Sequence, residues 1–322
     1  MKATYRVARM VTLRRSTALA VSLAAVLLAA CERGPALSRC DPEAPYVTAL
    51  QDGRLSPPSS PAAGDFWQSP ADGMILKYVP AGDFVMGAAE DDPYGTPDER
   101  PQHEVLLDAF WIDATEVTNA MYSLCVREGS CTTPAKDSSL SRKLYFPEPS
   151  CAGYPVVEVS WQQAYEYCQW AGRRLPTEAE WEKAARGTDG RMYPWGNEPP
   201  TGELANLCGT DCTNEANAPT VDDGFFDTSP VGAYPDGASP YGALDMAGNV
   251  WEWVADWGRA DYYSSSPSAN PLGPASGEAR VARGGSFMSP PEGMRVTVRA
   301  FLSPDVSAGA FGGFRCAISA VP

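Results

Sequence analysis

The stretch from 188 to 280 constrains this chain most. It is rich in Gly, Pro, Asn and Asp, and no clear helical or strand period runs through it, yet it carries Trp195, Trp251, Trp253 and Trp257. Disordered segments are poor in large aromatics, because they cannot bury enough apolar surface to offset the ordering of the chain. Structureless loops of this length are uncommon inside a folded body unless something holds them. The expectation is a packed, loop-rich α+β domain, low in regular structure.

Cysteine usage fits that expectation. There are nine cysteines, no CxxC pair and one histidine, His103, so a zinc site of the Cys/His type is not indicated. Residues 1–30 hold five basic groups and no acid, and end in the apolar run TALAVSLAAVLLAA. That run is short for a bilayer span and has the layout of a signal-peptide core. The closing LLAAC resembles a bacterial lipobox, in which Cys31 is lipidated and becomes the mature N-terminus; an ordinary signal peptide or an uncleaved anchor is the alternative. Setting Cys31 aside leaves eight cysteines, an even number suited to disulfides in an oxidising compartment.

The expected layout is a signal peptide over 1–30, a Pro-rich tether over 31–71 and one domain over 72–322. The expected location is the bacterial cell envelope, with a lipid anchor and the domain facing the periplasm or the exterior. Beyond residue 30 the chain has 20 of its 25 basic groups against 40 acidic ones, a formal charge of −20. Such a body repels phosphate backbones, which argues against nucleic acid as a partner, and it suits divalent cations.

Caps place three helices. The first follows Thr118 and stops at Gly129. The second starts at Ser160, with Gln163 at capping-box spacing, and ends at Gly172. The third has Thr177 as cap, Glu180 three residues later and Gly187 as its stop. Strand-like stretches cover 73–88 (broken at Pro80-Ala81-Gly82), 103–112, 279–287 and 312–319.

Four stretches then carry a resemblance: VSWQQAYEYCQWAGRRLPTEAEWEKAARG (159–187), YGALDMAGNVWEWVADW (241–257), RGGSF (283–287) and GFRCA (313–317). From about residue 72 to the C-terminus the chain resembles the formylglycine-generating enzymes, or sulfatase-modifying factors. The resemblance implies a single domain of C-type-lectin-like topology. It also implies, for active members, oxygen-dependent conversion of a cysteine in a Cys-x-Pro-x-Arg motif to formylglycine, with copper held by two loop cysteines. Soft thiolates suit Cu(I). Here the first of those cysteines falls at Ser289 and the second has no counterpart, in a loop about three residues shorter before Arg295 and Arg299. Copper is therefore not expected, and Met288 and Met294 read better as packing groups. Ser286, Ser289 and Arg299 remain as a degenerate loop. A serine nucleophile would need a base within reach, and the loop offers no histidine.

The resemblance also implies two structural calcium sites. Asn206 and Asp223 with the carbonyls of Leu207 and Phe225 form one; Asp245 and Glu252 with the carbonyls of Gly248 and Val250 form the other. Oxygen donors of these kinds suit a hard cation. It pairs Cys168 with Cys316. Cys125 with Cys131 and Cys208 with Cys212 are close enough for short local loops, and Cys40 with Cys151 is what remains. Two functions follow. The first is a non-catalytic, calcium-stabilised binding or scaffolding module, a pseudoenzyme taking a protein or peptide ligand. The second is an oxygen-dependent oxidoreductase on protein or peptide substrates with altered metal ligands.

Overall fold

The three helices begin where their caps put them. In a computed structural model that describes Cys40, residues 55–209 and residues 221–320, they span Asn119–Arg127 (α1), Trp161–Trp170 (α2) and Glu178–Arg186 (α3). Ser160 Oγ accepts from Gln163 N at 3.2 Å, and Gln163 Oε1 accepts from Ser160 N at 2.9 Å. Thr177 and Glu180 make the same reciprocal pair at 3.1 and 2.8 Å. The signal segment and the lipidation site at Cys31 lie outside the described residues.

Among the described residues, ten short strands form three sheets. Phe66–Gln68 (β1), Ile75–Val79 (β2), Phe110–Asp113 (β5) and Ala317–Ser319 (β10) make one, in the order β1-β2-β5-β10. Gly82–Met86 (β3) and His103–Leu107 (β4) pair alone. Trp251–Trp257 (β6), Arg280–Arg283 (β7), Arg299–Leu302 (β8) and Gly312–Phe314 (β9) make the third, in the order β8-β7-β6-β9, with β9 parallel to β6.

Several boundaries differ from the sequence reading. Residues 103–112 form two strands in different sheets, because Asn270 clasps Asp108 between them: Asp108 N donates to Asn270 Oδ1 at 2.9 Å and Asn270 Nδ2 donates to Asp108 Oδ2 at 3.0 Å. Residues 312–319 likewise split into β9 and β10. β1 lies N-terminal to position 72 and pairs with β2, so part of the expected tether is sheet. β6 crosses the stretch expected to be irregular.

Alternate strand residues point to opposite faces, and here each face meets its own core. Ile112, Val254 and Val281 join Trp181 and Ala184 of α3 in one buried cluster. Trp111, Trp253 and Ala282 join Tyr122 of α1 and Tyr167 of α2 in the other. β6 is thus covered on both sides, and burial holds it extended where local composition reads as loop. Disulfides join Cys168 to Cys316, Cys125 to Cys131 and Cys40 to Cys151.

Candidate functional site

The loop after β7 closes on itself. Gly285 has a φ of 75°, and a Cβ there would lie 2.8 Å from Gly293 O, so the turn requires glycine. Ser289 N donates to Ser286 O at 2.8 Å, and Ser286 N donates to Ser289 Oγ at 3.0 Å. Met288 N donates to Ser286 Oγ at 3.3 Å. Ser286 and Ser289 are buried while Met288 is 40% exposed. Both hydroxyls accept from loop amides. Ser289 therefore stands as a turn-forming group at the position where the resemblance expects a thiolate. Among the described residues every cysteine is disulfide-bonded, including Cys208, whose expected partner Cys212 lies outside them. The donors for a two-thiolate copper centre do not fit.

The arginines flanking the loop hold carboxylates from distant parts of the chain. Arg295 grips Glu99 with two contacts at 2.8 and 2.9 Å and reaches Asp92 at 2.8 Å. Arg299 grips Glu178 at 2.7 and 2.9 Å, and Arg283 pairs with Glu182. Arg315 binds both oxygens of Glu252, at 2.6 and 2.7 Å. All four guanidinium groups are buried with their partners, where loss of either partner would leave an uncompensated charge.

The calcium candidates lie in one hydrogen-bonded neighbourhood with the loop. Asp223 accepts from Leu207 N at 2.7 Å and Phe225 N at 2.9 Å. Asn206 is 1% exposed; its Nδ2 donates to Asp227 O at 2.8 Å, whereas its Oδ1 has no hydrogen-bond partner. An orphaned buried amide oxygen beside a carboxylate-bearing loop is what a hard cation takes up, so the first donor set fits calcium. Among the described residues no three His, Cys, Asp or Glu side chains converge on a metal geometry. A cation here would therefore depend on the amide and on backbone carbonyls as well as on Asp223.

The second donor set departs from expectation. Glu252 gives both oxygens to Arg315, and Oε2 also accepts from Trp181 Nε1 at 2.8 Å. The oxygen without a hydrogen-bond partner belongs instead to Glu116, whose carboxyl lies close enough to Asp245 for that charge to act on it. Burial raises Asp245 to about 6, against the Gly232 N–H that holds its anion. Burial and then the charge of Asp245 raise Glu116 well above the usual carboxylate range. Two neighbouring desolvated carboxyls resist ionising together, so one keeps its proton unless a positive charge offsets the second.

Glu116 is one residue the sequence reading missed; its only signal is an acid two positions before the helix cap Thr118. Asn249 is the other, and its signal is the Gly-Asn dipeptide at a left-handed turn, φ 55°. Two surface clefts, of about 540 and 550 Å³, lie elsewhere: one between α1 and Pro147–Pro149, the other between α2 and Asn270–Leu272. Neither includes a loop residue or a calcium candidate.

Three small sheets wrapped in long, cross-linked loops, with a Gly-Gly-Ser turn pinned to an acid and amide cluster, define a C-type-lectin-like α+β domain. Residues 61–320 match the Sulfatase-modifying factor enzyme 1-like domain, and the chain belongs to that family. It is 39% identical over 279 residues to the formylglycine-generating enzyme of Streptomyces coelicolor, covering 74% of this chain and 87% of that protein. It is 35% identical over 286 residues to the inactive C-alpha-formylglycine-generating enzyme 2 of Mus musculus, covering 76% and 86%. The structure of PvdO from Pseudomonas aeruginosa superposes with a TM-score of 0.68 at 26% identity, covering 81% of this chain and all of that one.

Proposed function

We propose that this chain is an exported, lipid-anchored envelope protein whose domain binds a protein or peptide segment without oxidising it, stabilised by calcium. The observation that carries the non-catalytic reading is Ser289: it stands at the expected thiolate position, and its hydroxyl is engaged in closing the turn. The described cysteines are all in disulfides, which leaves no neighbouring thiol to serve instead. Overall similarity does not decide the matter, since a relative named formylglycine-generating enzyme and one named as inactive match at 39% and 35% identity.

Copper-loaded protein incubated aerobically with a Cys-x-Pro-x-Arg peptide should yield no aldehyde by mass spectrometry. Oxygen-dependent aldehyde above the no-enzyme control would reverse this reading. It would establish the second one, an oxidoreductase with altered metal ligands, which the relatives named as formylglycine-generating enzymes favour.

Calcium would be held through Asn206, Asp223 and the carbonyls of Leu207 and Phe225. Of the second set, Asp245 with Gly248 and Val250 remains, joined by Glu116 in place of Glu252. A cation that binds only the native state at a hundredfold excess over Kd adds about 2.7 kcal/mol. Chelation should therefore lower the melting temperature. Asp223→Asn should remove most of the calcium response, whereas Glu252→Gln should destabilise with and without calcium alike. A melting curve indifferent to chelator counts against both sites.

A further inference from the structure

We infer that Asn249 is a positioning residue that couples the cation-binding residues to the Gly-Gly-Ser loop, so that calcium occupancy sets the order of the loop. This rests on the calcium reading above. Asn249 is 1% exposed and sits at the crossing of two networks. Towards the cation residues, its N–H donates to Asn206 O at 2.9 Å, and its Oδ1 accepts from Asn206 Nδ2 at 3.3 Å and from Ser229 N at 3.0 Å. Its Nδ2 donates to Glu116 Oε1 at 3.0 Å. Towards the loop, its carbonyl accepts from Phe287 N at 2.9 Å.

Two further contacts run in parallel. Gly248 N donates to Gly284 O at 2.9 Å, and Cys208 N donates to Ser289 O at 3.2 Å. A Cβ on Gly248 would lie 2.1 Å from Asn206 O, so the segments touch backbone to backbone.

The direction of coupling follows from the amide plane of Asn206. Its Oδ1 is unpartnered, so the plane is held from one side only. A cation on Oδ1 fixes the plane, and with it the Nδ2 that orients Asn249. Held at both Oδ1 and Nδ2, the Asn249 side chain restrains its own backbone, whose carbonyl holds Phe287. Coupling between two such sites is reciprocal, so whatever orders the loop must also tighten cation binding.

Hydrogen–deuterium exchange of the full chain, with calcium and with chelator, tests this when read beside calcium calorimetry. Calcium should slow exchange at Phe287, Met288 and Ser289 by about tenfold relative to the α2 amides, which report global opening. Asn249→Gly keeps the left-handed backbone and both of its backbone bonds and deletes only the side chain. In that variant calorimetry should still show calcium binding, but loop exchange should no longer follow calcium. Asn249→Asp keeps the accepting oxygens and should restore part of the response.

Calcium binding without a loop response in the native chain, or a response undiminished in Asn249→Gly, overturns the coupling alone. An absence of calcium binding overturns the calcium reading and the coupling with it. If Asn249→Gly fails to fold, the native chain's exchange with and without calcium still decides.

Discussion

Asp256 of β6 faces the start of α3, where its Oδ2 accepts from Glu178 N at 2.8 Å, and it is only 2% exposed. Burial, reinforced by the charge of Glu178, pushes its carboxyl up to about 8. Unfolded aspartate titrates near 3.9. A carboxyl with a raised folded value contributes stability that is full below about pH 4 and lost as the pH climbs to about 8. Arginine contacts outweigh burial at Glu99 and Glu178 and lower both; their contribution is present above their unfolded values and lost only in acid. The melting temperature should therefore fall between about pH 5 and pH 8, and Asp256→Asn should flatten that fall. A variant profile as steep as the native one removes Asp256 from the account. At this scale the sequence shows which groups titrate, but not that Arg315 holds Glu252 or that Ser289 serves its own turn.

At the scale of elements, the capped helices were the most legible part. A cap is a contact between residues three apart, so both partners are visible in one short window. For α3, Thr177 accepts from Glu180 N, and Glu180 both returns the bond to Thr177 N and receives Arg174 at 2.6 Å through each oxygen. Thr177→Ala should cost about 1 kcal/mol. In urea that reads as a lower midpoint with an unchanged slope. A midpoint unmoved by the substitution would mean that tertiary packing alone sets the start of the helix. Strands were less legible. β4 and β5 run together in sequence and part in space through an asparagine more than 150 positions away.

Across the whole molecule, the bond between Cys168 and Cys316 ties α2 to the start of β10 over a separation of 148 residues. Closing so long a loop restricts the unfolded chain, and Cys168→Ala with Cys316→Ala should cost about 4 kcal/mol. A guanidinium midpoint that falls in proportion supports this, and non-reduced peptide mapping that finds Cys168 free refutes it. The two cores divided by the sheets are a property of this scale as well. The period-2 pattern of β6 is muted because both of its faces are buried, and a strand buried on both faces loses the polar alternation that marks a strand in sequence.

The sequence by itself determined the helix starts and stops, the loop-rich character of the domain and the motifs that mark its family. Each of these is written in residue identities or in contacts a few positions apart. Only the tertiary structure decided that β1 and β6 are strands, that Glu116 rather than Glu252 carries the unpartnered oxygen, and that Asn249 hydrogen-bonds both Asn206 and the backbone of Phe287. The partners concerned are far apart in the chain: 63 positions for Arg315 and Glu252, 121 for Arg299 and Glu178, 133 for Asn249 and Glu116. Charge and hydrogen-bonding capacity can be read from a residue alone, but which partner satisfies it is decided by folding, because a buried polar group takes whichever complement the chain brings within reach.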